Sequence, residues 1–152
     1  MQEFIFPEGD THFQSFSKET GSGMYQGENY QLCQTLFDSE LNRKKIAIDI
    51  GAHVGLWSYW IAQDFETVHS FEPVKENYDC LTQNVPKNVH TYNLGLSDEE
   101  AELEISTATK GKINSGGWRL YRKLDPSGRH HRHFVPVKTL DSFNLEPDFI
   151  KI

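Results

Sequence analysis

The sequence predicts one α/β domain that is built on a parallel sheet. Its 152 residues suffice for one ordinary domain, and its 37% hydrophobic and 24% charged residues are typical of a globular protein. Short runs rich in β-branched residues alternate along the chain with segments of helical periodicity. This alternation is typical of right-handed βαβ units, in which helices cover both faces of a parallel sheet.

The first part of the chain predicts an arm, two helices and the first strand. Residues 1–27 are rich in Gly, Ser, Thr and aromatic residues without a sustained period, so we expect an arm over the body. Residues 45–50 form a near-continuous apolar run, which predicts a strand buried on both faces, and residues 56–62 predict a buried helix. From Asn29 the apolar positions follow one helical face for about three turns; they are Leu32, Cys33, Leu36, Phe37 and Leu41.

The alternation continues in the second part of the chain. Residues 67–72 predict a second strand and residues 89–93 a third. Between them Pro73 suits the first position of a helix, because its missing N–H has no partner there, and Pro86 ends the segment. The apolar run over 149–152 predicts a further parallel strand.

A smaller antiparallel element is expected before that last strand. Residues 101–106 and 133–137 alternate with period two, so we expect them to pair as antiparallel strands. Residues 107–132 between them form a polar loop, and its length, beyond about 15 residues, predicts either a function or disorder. For residues 114–118 a role in gating a substrate and a mobile linker both stay open.

Charge and composition argue against several classes of partner. Fifteen Lys and Arg against 22 Asp and Glu give a net charge of −7, which disfavours nucleic acid as a partner. No apolar run approaches the roughly 20 residues that span a bilayer, and the N-terminus has no signal-type apolar core. We therefore expect a cytoplasmic protein without a membrane partner. Cys33 and Cys80 are expected to be buried apolar residues.

The most informative motif is DIGAHVG, residues 49–55, at the junction of a strand and a helix. Gly51 allows a turn and close approach to a ligand, and Gly55 allows the helix to pack closely on the strand. Glu72 closes the second strand about 20 residues later, where a carboxylate hydrogen-bonds ribose hydroxyls. Together these signals indicate a cofactor that contains a nucleoside.

The type of cofactor follows from what the motif lacks. A dinucleotide fingerprint that starts at Gly51 needs glycines where His53 and Leu56 stand, and the chain has no GxxxxGK[ST] phosphate loop. S-adenosylmethionine has a ribose and an adenine without phosphate, and it carries an ammonium and a sulfonium. We expect Asp49, at the strand end, to attract that positive charge directly or through water. A nicotinamide-dependent oxidoreductase is the disfavoured alternative.

Further motifs follow DIGAHVG in a characteristic order. They are SFEP, LTQN, a third strand with the turn residues Leu96 and Ser97, then VKTLDSF and DFIKI. From about Lys44 to Ile152 this order resembles the FkbM-type family of class I S-adenosylmethionine-dependent methyltransferases. The resemblance implies a Rossmann-like core over 44–152 with the strand order 3-2-1-4, and residues 1–43 before it are expected to form an arm and a helix.

The resemblance also implies which residues bind S-adenosyl-L-methionine. Glu72 would bind the ribose, Pro73 would shape the wall beside it, and Asn93 and Leu94 would lie near the adenine. The family most often has Asn where His53 stands. The methionine end would be held by residues of the glycine loop, namely Asp49, Gly51, Ala52, His53 and Gly55.

Methyl transfer by direct displacement needs an aligned, desolvated acceptor, and a base only where the acceptor is a poorly ionised hydroxyl. No catalytic residue is therefore named. His53 is within reach as a base, although a structural or cofactor-contact role is favoured. The resemblance implies O-methylation of a small-molecule or glycan hydroxyl.

The histidines at 130, 131 and 133 are candidate metal ligands by residue type. They stand in an Arg-containing run without a neighbouring Cys or carboxylate. A solvated loop is therefore favoured, and no metal is expected.

The last residues, DFIKI, carry two expectations. The family pattern continues after this strand with an aspartate-x-glutamate-glycine motif and further strands, so we expect a C-terminally truncated core. A cofactor-binding fragment without activity is the corresponding alternative. In the order 3-2-1-4 the fourth strand is an apolar edge, and such edges recruit partners. We expect this edge to be covered by a second copy of the chain or by the N-terminal arm.

Overall fold

The structure, a computed structural model, describes residues 3–13, 26–108, 114–120 and 130–152. Two sheets and three α-helices make up the described chain. In order, the elements are α1 (Gly27–Glu40), β1 (Ile46–Ile50), α2 (Leu56–Asp64), β2 (Thr67–Phe71), α3 (Lys75–Asn84), β3 (Val89–Tyr92), β4 (Gly95–Leu96), β5 (Ala101–Ala108), β6 (Arg119–Leu120), β7 (His130–Lys138), a 3₁₀ helix (Leu140–Phe143) and β8 (Phe149–Lys151).

The larger sheet confirms the predicted α/β class. Its four strands pair in parallel in the order β3-β2-β1-β8, which is the predicted order 3-2-1-4. The central residues of β1 are buried, as its continuous apolar run predicts. Because all four strands are parallel, their carboxyl ends lie at one edge, and the turns after β1 and β2 meet there.

Helix α1 packs by part of the predicted stripe together with Tyr30, because Phe37 is buried and Cys33 and Leu41 pack against the core. Tyr30 and Phe37 are buried, whereas Leu32 and Leu36 are 62% and 49% exposed. The Tyr30 hydroxyl has one proton, and two acceptors are in reach of it, the Trp60 carbonyl at 2.7 Å and Asp64, so the buried donor has a partner. The prediction omitted Tyr30 because it counted only aliphatic, Cys and Phe positions.

Helix α3 begins at Lys75, two residues later than Pro73 predicts. The cause is Glu72, whose carboxylate accepts the Val74 N–H at 2.9 Å and holds the preceding turn. The buried face of α3 also carries two asparagines, Asn77 and Asn84, which the apolar pattern did not indicate.

The second sheet has the order β4-β7-β5-β6. Antiparallel pairing of β5 with β7 confirms the predicted hairpin, but it extends to Ala108 opposite His130. The predicted loop over 107–132 is therefore wrong at both ends, because the pairing of β5 with β7 continues into it. Residues 109–113 and 121–129 of that loop lie outside the described residues. Three side chains of this sheet are buried against Val74; they are Ile105, Val135 and Val137.

Residues 3–13 of the N-terminal arm dock on α3 and on the glycine loop. Asn84 exchanges two hydrogen bonds of 2.8 Å with the backbone of Ile5. Phe4 and Phe13 are buried in a cluster with Val54 of the loop. At the other edge of the molecule β8 pairs with β1, while Ile150 and Ile152 are exposed, so the expected covering of that edge stays a prediction.

Gly55 and Gly51 share a left-handed conformation but differ in their surroundings. At Gly55, with φ +90°, a Cβ would lie 2.8 Å from side-chain carbons of both Leu81 and Val85. The close neighbour that requires glycine is therefore the end of α3 and not the strand. At Gly51, with φ +72°, a Cβ would have no atom of the described residues within 4 Å, apart from its own chain neighbours.

We expect Gly55→Ala to lower the free energy of unfolding by about 3 kcal/mol, since left-handed strain of about 1–2 kcal/mol adds to overpacking of about 1–3 kcal/mol. Gly51→Ala is the matched control and should cost only about 1–2 kcal/mol. Urea denaturation of both variants measures the difference. Equal losses would show that the contact with α3 is not what Gly55 provides.

Candidate functional site

Two cavities lie where β1 and β2 end. The first, of about 260 Å³, separates the glycine loop from the second sheet. The second, of about 240 Å³, lies between the glycine loop, the start of α2 and the end of β8. Gly51, His53 and Gly116 line both cavities, so the two meet at the turn after β1.

Backbone hydrogen bonds fasten that turn to the end of β2. The N–H groups of Gly51 and Ala52 both donate to the Phe71 carbonyl, at 2.9 and 3.0 Å. His53 then takes the left-handed conformation with φ 54°, which His and Asn adopt more readily than most residues. Its own N–H donates to Glu72 Oε2 at 2.7 Å.

Glu72 is the carboxylate of the first cavity, and it is 4% exposed. Besides the His53 N–H it accepts the Val74 N–H, and the Asn77 amide lies 3.5 Å from Oε1. Burial raises the pKa of the Glu72 carboxyl, and the two N–H donors oppose that rise only in part. Each carboxylate oxygen can accept more hydrogen bonds than these backbone and amide groups supply, so Glu72 can also accept hydrogen bonds from ligand hydroxyls.

Asp49 is completely buried inside β1 and lines neither cavity. Its Oδ2 accepts the Ser58 hydroxyl at 2.6 Å, and Ser58 in turn accepts the Ser70 hydroxyl at 2.8 Å. Its Oδ1 lies 3.0 Å from the Lys151 ammonium, which does line the second cavity. The positive charge beside Asp49 is thus supplied by the protein, and the expected attraction for a cofactor cation stays a prediction.

The other predicted contact residues divide between the two cavities and the wall behind them. Ala52 lines the second cavity and Pro73 the first. Asn93 donates to the carbonyls of Glu72 and Pro73 at 3.0 and 3.2 Å, so it braces the turn after β2. In place of Asn93 and Leu94, their neighbours Gly95 and Leu96 line the first cavity.

Three polar residues that the sequence analysis did not single out, Asp10, Asn77 and Ser115, are linked to His53 by hydrogen bonds. Its Nε2 lies 2.6 Å from the Ser115 hydroxyl, and Ser115 bonds the buried carboxylate of Asp10. Asn77 donates to the Ser115 carbonyl at 3.0 Å. Helical spacing puts Asn77 on the same face as Leu81, which was a usable signal. Asp10 and Ser115 gave none, because 105 positions separate them.

Electrostatics keep His53 neutral and Asp10 ionised. Burial lowers the pKa of His53 to about 4; Asp10 opposes this shift and Lys151 adds to it. Burial favours the neutral acid at Asp10, but hydrogen bonds from Ser115 and from the Phe13 N–H lower the pKa of its carboxyl below the usual value. The site therefore combines a neutral imidazole with two buried carboxyl groups.

Comparison with protein families decides what this site belongs to. The model of the methyltransferase FkbM domain matches residues 49–152, which include the glycine loop, Glu72 and β8. The chain belongs to the FkbM methyltransferase family. No curated protein matches the chain.

The described residues of this FkbM domain also bear on metal binding and on membranes. No group of three His, Cys, Asp or Glu side chains among them is arranged to hold a metal ion, and the side chains at 130 and 131 lie outside the described residues. None of the described helices combines the length and apolar character needed to cross a bilayer. Cys33 and Cys80 are free thiols, and only Cys80 is fully buried.

The FkbM domain should lose stability between pH 6.5 and pH 4 through His53. Its pKa is about 6.5 when unfolded and about 4 when folded, so in this window the unfolded chain binds more protons and stability falls as pH falls. The full contribution is about 3 kcal/mol. His53→Asn keeps a residue suited to the left-handed turn but removes the titration, so denaturation curves of the variant should show a shallower slope. Parallel slopes for the two proteins would contradict a neutral buried His53.

Proposed function

We propose that this FkbM methyltransferase domain binds S-adenosyl-L-methionine and methylates a hydroxyl of a small molecule or glycan. The observation that supports this most is the position of Glu72. It is a buried carboxylate at the end of β2, it lines the first cavity, and it is joined to the glycine loop through the His53 N–H. That is the place where an acidic residue binds ribose hydroxyls in folds of this class.

The first cavity suits the adenosyl part of the cofactor. Glu72 supplies acceptors for the ribose hydroxyls, while Val74, Leu96 and Val137 supply an apolar wall for the adenine ring. Among the described residues around it there is no Lys or Arg. Because a pyrophosphate favours basic side chains around it, the absence of Lys and Arg from this lining supports a nucleoside without phosphate over a dinucleotide.

The second cavity suits the methionyl part. Gly51 and Ala52 bring the backbone to its wall, and the Lys151 ammonium offers a partner for the methionyl carboxylate. A neutral His53 adds no second positive charge close to the sulfonium. Because the two cavities meet at Gly51 and His53, one ligand that spans both would pass this turn.

The chain's own contribution to the reaction is binding and orientation. When bound, S-adenosylmethionine supplies an electrophilic methyl group, and displacement then requires an aligned acceptor in a dry site. His53 is the titratable side chain at the junction of the cavities, and because burial lowers its pKa to about 4, a contact with the cofactor is favoured over a role as a base. We place the reaction in the cytosol, where free thiols such as Cys80 persist.

Calorimetric titration with S-adenosylhomocysteine, and in parallel with NAD, tests the cofactor. We expect binding of S-adenosylhomocysteine and none of NAD. Glu72→Gln should weaken binding at least about tenfold, since a hydrogen bond to a charged group contributes about 1.5–3 kcal/mol. Glu76→Gln, an exposed glutamate on α3, is the matched control and should bind as the wild type does.

Two results would overturn the assignment. Tight NAD binding without S-adenosylhomocysteine binding would favour an oxidoreductase, and unchanged affinity in Glu72→Gln would remove this residue from the ribose site. Transfer of a labelled methyl group to a panel of phenols, polyols and sugars then tests the acceptor. Binding without transfer to any of them would favour a cofactor-binding fragment without activity.

A further inference from the structure

Ser115 connects three parts of the molecule that are distant in sequence. Its N–H donates to Asp10 Oδ2 of the arm at 2.9 Å, and its carbonyl accepts the Asn77 amide of α3 at 3.0 Å. Its hydroxyl lies between Asp10 and His53 of the glycine loop. Every polar group of Ser115 therefore has a partner, and the residue itself is buried beside the first cavity.

The direction of these hydrogen bonds follows from the number of protons. An ionised carboxylate only accepts, and a hydroxyl has one proton to donate. Since the Ser115 hydroxyl bonds Asp10, its proton lies on that bond, and toward His53 the same oxygen can only accept. Asp10 is 1% exposed, and among the described residues it accepts from three donors, which are the Ser115 hydroxyl and N–H and the Phe13 N–H at 2.8 Å.

The tautomer of His53 follows from this order. Nε2 must carry the proton that Ser115 accepts, so in the neutral ring Nδ1 carries a lone pair. No hydrogen bond to Nδ1 occurs among the described residues, although His53 lines both cavities. The charged groups around the ring are Asp10 on the arm, Lys151 on β8 and Glu72, which bonds the His53 backbone.

We propose that Asp10 and Ser115 are positioning residues of the cofactor site, which hold His53 as its Nε2–H tautomer and leave Nδ1 as a hydrogen-bond acceptor for the cofactor where the two cavities meet. The inference rests on the proposed function for the identity of the ligand. It adds two residues to the site, of which Asp10 lies outside the range that the family model matches. The ligand group that this acceptor suits is an N–H or O–H donor, such as the ammonium of the methionyl part.

The close fit of the segment around Ser115 supports a positioning role. A Cβ on Gly116 would lie 3.1 Å from a ring carbon of Phe13, and the Phe13 ring in turn packs on His53 with centroids 4.6 Å apart. The arm, through Phe13, thus contacts both Gly116, next to Ser115, and the imidazole of His53 in the glycine loop. Such packing restricts the ring to one orientation, which a hydrogen bond alone does not ensure.

Nitrogen-15 NMR of the histidine rings in the ligand-free protein tests the positioning directly. At pH 7 we expect His53 in the wild type to be neutral and protonated at Nε2. In Asp10→Asn the Ser115 proton is free to turn toward His53, so a mixture of tautomers is expected; Ser115→Ala should give a similar mixture. A wild-type ring protonated at Nδ1, or tautomers unchanged in both variants, would overturn the proposal. This measurement needs no cofactor.

Calorimetric titration with S-adenosylhomocysteine tests the consequence for binding. We expect Asp10→Asn and Ser115→Ala each to bind about tenfold more weakly than the wild type, the effect of one lost or misdirected hydrogen bond. Phe4→Leu is the matched control, because it removes arm packing on Tyr59 without touching the polar chain, and its affinity should stay within about twofold.

The possible outcomes separate this inference from the proposed function. Mixed tautomers with wild-type affinity would overturn the role of His53 Nδ1 as a cofactor contact. An equal loss of affinity in Phe4→Leu would show that docking of the arm, and not the polar chain, supports the site. If the wild type binds neither S-adenosylhomocysteine nor S-adenosylmethionine, the proposed function fails, while the NMR result still decides whether Asp10 and Ser115 position His53. Should Ser115→Ala not fold, the near-isosteric Asp10→Asn gives both readouts.

Discussion

The carboxylate of Glu72 joins the two turns that form the candidate site. One of its oxygens accepts the N–H of His53 after β1, and the other accepts the N–H of Val74 before α3. Neither turn has a side-chain cap of its own at the following helix, so these bonds set where α2 and α3 begin relative to the sheet. The carboxylate that lines the first cavity is therefore also the group that shapes it.

A second constraint is the burial of charge behind and beside this carboxylate. Asp49 is paired with Lys151 and bonded to Ser58, while Asp10 is satisfied by donors from the Ser115 segment and from Phe13. Because buried charges are costly unless paired, each of these contacts fixes two segments at once. The resulting site has a neutral imidazole at its centre, which suits a cationic cofactor better than an imidazolium would.

The second sheet contributes one wall of the same site. Its strands place Val135 and Val137 against Val74, and the first cavity lies between these residues and Glu72. The sequence pattern predicts that β5 and β7 pair, because alternation with period two is a local property. It does not predict that one face of that hairpin becomes the wall of a ligand cavity, since this depends on where the hairpin packs.

Local sequence determined the elements whose signals are local. The apolar run of β1, the turn at Gly51 and the acidic residue that closes β2 are each set by a few neighbouring residues, so the parallel sheet and Glu72 were predictable. Helical spacing predicts that Asn77 lies on the buried face of α3, but it does not predict which residues Asn77 bonds.

Only the tertiary structure decided which of those groups meet. Asp49 faces Lys151 because β1 and β8 pair in that register, and Asp10 meets Ser115 and His53 because the arm docks beside the glycine loop. The Asp49–Lys151 and Asp10–Ser115 contacts join residues about 100 positions apart, and no periodicity extends over such a distance. The sequence by itself therefore determined the family and the frame of the site, whereas long-range packing determined which of its charged and polar groups lie together.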